Sequence, residues 1–180
     1  MMIVILLGDG FEETEAIAPF DLLKRAGADV RFAGVGATTV VGSHGVRVTV
    51  NLSVDEVCAD EIEMIVLPGG LGGVKTLSES AAAMSLTRQV WDNGNYVAAI
   101  CAAPTLLAKL GISDGRNATC YPGMEGQMTS AKMKKKSVVK DGKLITGRAA
   151  GSAVAFGLAL VETVKGTAEA QKIASAIVCE

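Results

Sequence analysis

Short runs of β-branched and aliphatic residues alternate along the chain with longer stretches in which apolar positions recur at helical spacing. This alternation is typical of an α/β fold built from βαβ units around a largely parallel sheet. Most of the short runs are uniformly apolar, so we expect them to be central strands covered on both faces. The predicted strands are Ile3–Leu7, Val30–Val35, Val46–Val50, Ile62–Leu67, Val97–Ile100 and Lys143–Thr146.

Five helices are predicted between and after these strands. Four of them are followed by a glycine, which is a common stop signal just past the end of a helix. Pro19 lies inside the first helical pattern and is expected to end or restart that helix. The predicted helices are Thr14–Ala26, Ser78–Trp91, Pro104–Leu110, Ser152–Thr163 and Ala168–Val178, with stop signals at Gly27, Gly94, Gly111 and Gly166.

Length and composition favour one folded domain in which positive and negative charges nearly balance. The chain has 180 residues, of which 49% are hydrophobic, and it carries 17 Lys and Arg against 19 Asp and Glu. The hydrophobic fraction is enough to form a core, which excludes intrinsic disorder, and the net charge of −2 disfavours a nucleic-acid binder. We therefore expect a single domain over residues 1–180 whose partners are small molecules or protein surfaces.

Neither a membrane segment nor an export signal is expected. The N-terminal apolar run lacks a basic region and is too short for a secretory signal or a membrane span. The four cysteines lie far apart without a C-x-x-C pair, in a chain long enough to fold without disulfides. These features favour a cytoplasmic protein with free thiols, at Cys58, Cys101, Cys120 and Cys179.

The most informative segment is the apolar run that ends at Cys101. A predicted strand meets a helix start here, and small residues at Ala99, Ala102 and Ala103 permit the sharp turn of a nucleophile elbow. Pro104 suits the first helical turn. The positive end of the helix dipole is expected to lower the pKa of the Cys101 thiol and to enrich its thiolate. An inert cysteine in the core is the alternative.

A glycine-rich segment follows the predicted strand Ile62–Leu67. Ligands of open α/β sheets bind at the carboxyl ends of the strands. Backbone N–H groups near Gly69 and Gly70, together with that of Ala102, are candidates for holding negative charge beside a cysteine nucleophile. The segment lacks the spacing of a phosphate-binding loop, which disfavours nucleotide binding. A plain glycine-rich turn is the alternative.

Three glutamates lie in the loop after the first predicted strand. Glu12 and Glu13 are interpreted as favourable charges at a helix N-terminus. Glu15 has a different role if it turns inward, because an apolar pocket would raise its pKa. As a neutral acid it would then hydrogen-bond a neighbouring thiolate and carry protons.

The chain contains one histidine, His44, in a predicted turn. Zinc sites with several histidines and H-E-x-x-H metalloproteases are therefore excluded, and no metal site is expected. A Cys–His dyad requires that His44 reach the nucleophile, so protease or amidase activity is disfavoured. An exposed polar turn residue is the alternative reading of His44.

Taken together, these segments resemble the ThiJ/PfpI superfamily, in the branch of the parkinsonism-associated deglycase. The resemblance covers essentially the whole chain and keeps the motifs in order. The motifs that carry it are Gly10-Phe11-Glu12-Glu13-Thr14-Glu15, Leu67-Pro68-Gly69-Gly70 and Ala99-Ile100-Cys101-Ala102-Ala103-Pro104-Thr105.

The resemblance implies a flavodoxin-like three-layer sandwich with a mostly parallel sheet, a homodimer, and no metal or organic cofactor. It implies that Cys101 is the reactive nucleophile and that Glu15 is the protonated carboxyl bonded to its sulfur. The N–H groups of Gly70 and Ala102 would form the oxyanion site.

The resemblance also places four side chains near the pocket or the dimer interface, Arg25, His44, Tyr121 and Arg148. Tyr121 stands where many relatives have a histidine just before the proline. A tyrosine titrates at about 10, so it does not replace a neutral-pH base, and Glu15 would have to transfer protons alone.

The leading functional hypothesis is a cysteine enzyme that acts on reactive dicarbonyls such as methylglyoxal. It would either convert the free compound to lactate, as a glyoxalase does, or remove it from protein or nucleotide adducts, as a deglycase does. The competing hypothesis is an oxidative-stress sensor or chaperone-like protein in which Cys101 is oxidised to sulfinate without turnover.

Overall fold

The structure is a computed structural model that describes residues 1–179. The strands are β1 (Met2–Leu7), β2 (Val30–Gly34), β3 (Thr39–Val41), β4 (Arg47–Thr49), β5 (Leu52–Ser53), β6 (Ile62–Leu67), β7 (Tyr96–Ile100), β8 (Asn117–Ala118), β9 (Lys132–Met133), β10 (Val138–Asp141) and β11 (Leu144–Gly147). The helices are α1 (Glu13–Arg25), α2 (Leu71–Glu79), α3 (Ala81–Asp92), α4 (Pro104–Lys109), α5 (Ala153–Lys165) and α6 (Thr167–Ala176).

Seven strands form the main sheet, in the order β10-β11-β7-β6-β1-β2-β5. All neighbouring strands run parallel except β10, which is antiparallel to β11. The chain continues from β1 to β2 on one side and later returns to place β6 on the other side. The order of the strands thus reverses at β1, and sheets of this type bind ligands at the carboxyl ends of the strands beside such a point.

Strand β1 is buried along its whole length because helices cover both faces of the sheet. Successive side chains point to opposite faces, as in any strand. One set packs in a core with α1, α5 and α6, and the other packs in a core with α2, α3 and α4. The first set is Ile3, Ile5 and Leu7, and the second is Met2, Val4 and Leu6. The result is the predicted flavodoxin-like three-layer α/β sandwich.

The prediction of a central strand is wrong for one segment. The segment Val46–Val50 contributes β4 to a separate two-stranded hairpin with β3. Arg47 and Thr49 are exposed whereas Val48 is half-buried, and this alternation fits a strand with one open face. The sequence prediction also missed the edge strand β10, since Lys140 and Asp141 interrupt its apolar pattern.

Two helix boundaries also differ from the prediction. Helix α1 continues through Pro19, which is buried against α5; a Cβ added to Gly157 would lie 3.0 Å from the Pro19 Cα. Close packing there offsets the backbone hydrogen bond that proline cannot donate. The predicted helix Ser78–Trp91 is two helices that meet at Ser80. The Ser80 hydroxyl caps α3 by accepting the Ala83 N–H at 3.2 Å.

Within residues 1–179, none of the helices has both the length and the apolar character needed to span a bilayer. The four cysteines are free thiols, as the sequence predicted.

Candidate active site

Three loops meet at the carboxyl edge of the sheet. The loop after β1 leads into α1, whose first turn contains Glu15. The loop after β6 contains Gly69 and Gly70, and the turn after β7 contains Cys101. Because β1, β6 and β7 are parallel neighbours, their ends lie side by side. The structure thus brings together the three segments that the sequence singled out.

Cys101 has the backbone conformation of a nucleophile elbow. Its φ is +65°, in the left-handed region that residues with a side chain rarely occupy. The Cys101 N–H donates to the Gly147 carbonyl at 3.0 Å, and the Cys101 carbonyl accepts the Tyr121 N–H at 2.7 Å. These two hydrogen bonds hold the strained turn, which leaves the cysteine half-buried at the strand end.

Glu15 is the only buried acidic residue among residues 1–179, with 0% of its surface exposed. Its Oε2 accepts the Gly69 N–H at 2.8 Å, whereas Oε1 makes no geometric hydrogen bond within the described chain. Burial raises the pKa of Glu15 from 4.5 to about 7, although interactions with Cys101 and Gly69 oppose this rise. The inward turn of Glu15 therefore gives a carboxyl that gains or loses its proton near neutral pH.

The pKa of the Cys101 thiol differs from the sequence expectation. Burial and the neighbouring Glu15 carboxylate raise this pKa from 9.0 to about 12, so the predicted lowering is wrong. The N–H groups of Ala102 and Gly70 interact with the sulfur and lower its pKa, but burial outweighs them. Glu15 repels a Cys101 thiolate only while the Glu15 carboxyl is ionised. The thiolate is therefore favoured when the proton shared by the two groups resides on Glu15.

Two glycines allow the loop after β6 to approach these groups. A Cβ on Gly69 would collide with the Glu15 carboxylate and lie 2.7 Å from the Cys101 Cβ. Gly70 has a φ of +84°, and a Cβ there would lie 2.5 Å from the Glu12 nitrogen. Larger residues would thus displace the backbone that directs the Gly70 N–H toward the sulfur.

A pocket of about 240 Å³ opens over Cys101. Its apolar wall consists of Leu71, Tyr121 and Met124, and Glu12 is the only acidic residue in the lining. Leu71 is 75% exposed and Tyr121 is 48% exposed, so the wall faces solvent rather than the core. A larger cleft of about 750 Å³, between segments 36–39 and 50–56, contains no cysteine. We therefore assign the chemistry to the smaller pocket.

Known proteins resemble this chain in both sequence and fold. Residues 1–163 match the sequence profile of the DJ-1/PfpI family. The chain belongs to the DJ-1/PfpI family. It is similar to protein dj-1beta of Drosophila melanogaster, with 40% identity over 177 residues, which cover 97% of this chain and 95% of that one. The crystal structure of Drosophila DJ-1beta superimposes with a TM-score of 0.95 and 38% identity, covering 100% of both chains. A deglycase of Pyrococcus abyssi is 34% identical over 168 residues, 92% of this chain and 100% of that protein.

Within this DJ-1/PfpI chain, Tyr121 lines the pocket over Cys101. The exposed His44 ring has its Nδ1 2.8 Å from Glu13 Oε2 and 3.9 Å from Glu12 Oε2. The ring does not line the pocket. His44 is therefore tied to the acidic loop rather than to Cys101.

Arg25 and Arg148 do not line the pocket of this DJ-1/PfpI chain. Arg25 ends α1 far from the carboxyl edge of the sheet and pairs with Asp21 at 2.7 Å on the surface. Arg148 acts electrostatically on Cys120 and Glu125. Neither arginine therefore contributes to the pocket within the described chain, and a position at the dimer interface stays a prediction for both.

The sequence interpretation missed three residues of the pocket, Glu12, Leu71 and Met124. Glu12 was assigned only a charge at a helix N-terminus, yet its backbone N–H donates to the Gly69 carbonyl at 2.9 Å and brings it beside the glycine loop. Leu71 directly follows the glycines, which was the available signal for its position. Met124 lies in an irregular loop without a local pattern.

Proposed function

We propose that this protein removes reactive dicarbonyls such as methylglyoxal by a cysteine-dependent reaction that needs no cofactor. The substrate is the free compound or its adduct on a protein or nucleotide amine or thiol. The observation that carries the proposal is the buried Glu15 carboxyl beside the strained Cys101. The likeness to a protein named deglycase supports the same class of reaction.

The first chemical step is addition of the sulfur to the aldehyde carbon. The Glu15 carboxylate takes the thiol proton, and the Cys101 sulfur forms a bond to that carbon to give a hemithioacetal. The N–H groups of Gly70 and Ala102 stabilise the oxyanion. Protonated Glu15 then returns the proton to this oxygen. In an adduct, the sulfur displaces the amine or thiol, which leaves with the proton.

The second step transfers a proton between neighbouring carbons. Glu15 removes the proton from the carbon bonded to sulfur, the resulting enediol forms, and a proton returns to the former ketone carbon. The former aldehyde carbon is oxidised and the former ketone carbon is reduced, so electrons balance within the substrate. Water hydrolyses the resulting thioester, which releases lactate and restores the Cys101 thiol.

The experiment compares lactate formed from methylglyoxal by wild type and by Cys101→Ser at equal protein concentration. Cys120→Ser is the matched control, because Cys120 is a buried cysteine outside the pocket lining. We expect product from wild type and Cys120→Ser and none from Cys101→Ser. Absence of product from folded wild-type protein would contradict the proposal.

A second candidate function is an oxidative-stress sensor. The half-buried Cys101 opens to a solvent-facing pocket, and a protonated Glu15 would donate a short hydrogen bond to a sulfinate. This function predicts that dilute peroxide produces sulfinate at Cys101 in wild type. It also predicts that no product depends on Cys101, which separates it from the first proposal.

We further propose that the protein is a cytoplasmic homodimer. Membership of the DJ-1/PfpI family supports the dimer, and the exposed apolar residues Ile17 of α1 and Val154 of α5 are candidate contacts. Sedimentation equilibrium tests this proposal, with a dimer mass expected for wild type and a monomer mass as the contradicting result.

A further inference from the structure

One segment of the chain carries a positive charge that the rest of the chain does not share. Residues 114–148 contain eight Lys and Arg against three Asp and Glu, whereas the other residues contain nine against sixteen. The segment therefore has a net charge of +5 in a chain whose total is −2. Five of its cations form what we name the basic surface, which consists of Lys132, Lys134, Lys135, Lys136 and Arg148.

Backbone hydrogen bonds fix the segments that form the basic surface. Strand β9, which begins at the first of these lysines, pairs in parallel with β8. Just after β9, the Lys134 N–H donates to the Ala118 carbonyl at 2.8 Å. The Arg148 N–H donates at 2.9 Å to the carbonyl of Ser137, the residue after Lys136. The lysine run and Arg148 are thus held side by side.

Acidic neighbours do not balance the basic surface. Its four lysines are exposed, and none of its five cations forms an ion pair within residues 1–179. Backbone hydrogen bonds lower the pKa of Glu125, and the charges of Arg148 and Lys135 add to this effect. Hydrogen bonds from β8 likewise lower the pKa of Asp141, and the charge of Lys132 adds to this. Two carboxylates leave an excess of positive charge, which attracts anionic groups.

The basic surface adjoins the pocket over Cys101. The chain between β8 and β9 passes through Tyr121 and Met124, which both line the pocket. The Tyr121 N–H donates to the Cys101 carbonyl at 2.7 Å, so this part of the chain is attached to the elbow. Glu125, which responds to the charges of the basic surface, directly follows Met124. A flexible ligand that crosses the pocket wall would therefore contact both the basic surface and the sulfur.

A dimer through α1 and α5 would leave the basic surface open. Strands β8 and β9 pack with α4, through contacts in the small cluster that contains Ala108, Ala118 and Met133. The candidate dimer contacts Ile17 and Val154 belong to α1 and α5, which cover the other face of the main sheet. The basic surface and these contacts thus lie on different layers of the sandwich.

We infer that the basic surface is a docking surface for acidic segments of proteins. A segment bound there would place a neighbouring modified amine or thiol in the pocket, so the protein selects adducts that lie beside acidic residues. A nucleic-acid strand fits less well, because it would continue onto the remaining chain, whose net charge is −7. The basic surface also lacks the aromatic residues on which single-stranded bases stack. The choice of adduct rests on the proposed function, whereas the binding does not.

Binding of unmodified peptides tests the docking surface without requiring turnover. The probes are a labelled glutamate-rich peptide, its counterpart with glutamine in place of every glutamate, and a single-stranded oligothymidylate of the same net charge as the first peptide. Fluorescence anisotropy gives the affinity of each probe at low and at high ionic strength.

Two variants that lose the same charge at exposed lysines are compared with wild type. The first removes part of the basic surface and is Lys134→Gln/Lys135→Gln/Lys136→Gln. The second is the matched control on α2, α4 and α6 and is Lys75→Gln/Lys109→Gln/Lys172→Gln.

At low ionic strength, we expect wild type to bind the glutamate-rich peptide about tenfold or more tightly than its glutamine counterpart, because several partly screened ion pairs form. High ionic strength should remove this preference. The basic-surface variant should lose most of it, whereas the control variant should keep it. Sedimentation should give both variants the mass of wild type. A lower mass for the basic-surface variant alone would show that a second copy occupies the surface and would overturn the inference.

Equal affinity of wild type for the two peptides would overturn the inference, and this comparison needs no variant to fold. A preference that persists in the folded basic-surface variant would overturn the role of these lysines. Tighter binding of the oligothymidylate than of the glutamate-rich peptide would overturn the choice of protein segments as the partner.

A parallel assay follows removal of methylglyoxal adducts from the two peptides and lactate formation from the free compound. Adduct removal without a preference in binding would overturn the docking surface and leave the proposed function standing. Binding that depends on the lysines, without adduct removal or lactate formation, would support the docking surface and contradict the proposed function.

Discussion

The buried carboxyl of Glu15 makes folding stability depend on pH in the direction opposite to that of an ion-paired carboxylate. Burial raises its pKa from 4.5 to about 7 in the folded protein, and unfolding restores the ordinary value. Between these values, the folded protein binds more protons than the unfolded chain does. The stability associated with Glu15 is therefore complete below pH 4.5 and is lost as the pH rises through about 7.

The size of this effect follows from the two pKa values. The difference between 4.5 and about 7 corresponds to about 3 kcal/mol of unfolding free energy, lost at up to about 1.4 kcal/mol per pH unit. That is a large share of the roughly 5–15 kcal/mol that stabilises a typical domain. The Cys101 thiol does not contribute in this range, because its unfolded and folded pKa values are 9.0 and about 12.

Glu15→Gln isolates the contribution, because glutamine has the same shape and a side-chain oxygen that still accepts the Gly69 N–H, but it does not ionise. The assay is urea unfolding of both proteins at several values between about pH 4.5 and about pH 8. We expect wild type to lose about 3 kcal/mol relative to the variant across this range. Parallel pH profiles for the two proteins would refute the reasoning.

Three further predictions concern the loop, the elbow and the core. Gly69→Ala places a methyl group against Glu15 and Cys101, so urea unfolding should show a loss of about 1–3 kcal/mol; unchanged stability would contradict the close approach. Cys101→Gly removes the strain of the left-handed φ and should be about 1 kcal/mol more stable than Cys101→Ala in thermal unfolding, whereas equal stability would argue against strain. Ile5→Ala should cost about 2–5 kcal/mol in urea, and Val46→Ala, at a position that is 48% exposed, should cost much less; similar costs would contradict the assigned burial.

Local pattern was enough to find the three segments of the site. Uniformly apolar strands predicted the parallel sheet, and parallel strands end at one edge, so the segments that contain Glu15, Gly70 and Cys101 are expected to meet there. The small residues around Cys101 likewise predicted the sharp turn that its positive φ shows. These features depend on residues adjacent in sequence, which is why the sequence reveals them.

Features that depend on packing between distant segments were not predictable. The inward direction of Glu15 depends on the Gly69 N–H, 54 residues away. The pKa of Cys101 is raised because burial and Glu15 outweigh the N–H groups of Ala102 and Gly70, and neither effect has a local signal. Pro19 remains helical because Gly157 on another helix leaves room for it.

The lining of the pocket likewise could not be predicted from the sequence. Glu12 precedes a helix, and its charge alone fits a favourable position at a helix N-terminus. Only the fold shows that this residue also lines the space over the sulfur, together with Leu71 and Met124. Residue type therefore indicated the chemistry of the site, whereas the lining of the pocket required the structure.

The central claim is that Glu15 transfers the protons of a reaction at Cys101. The most direct test is the steady-state rate of lactate formation from methylglyoxal by wild type and Glu15→Gln at neutral pH, after both are shown to be folded. Because a positioned acid or base contributes about 10²–10⁴-fold to such a step, we predict a loss of that size in Glu15→Gln. Turnover by Glu15→Gln at the wild-type rate would contradict the account.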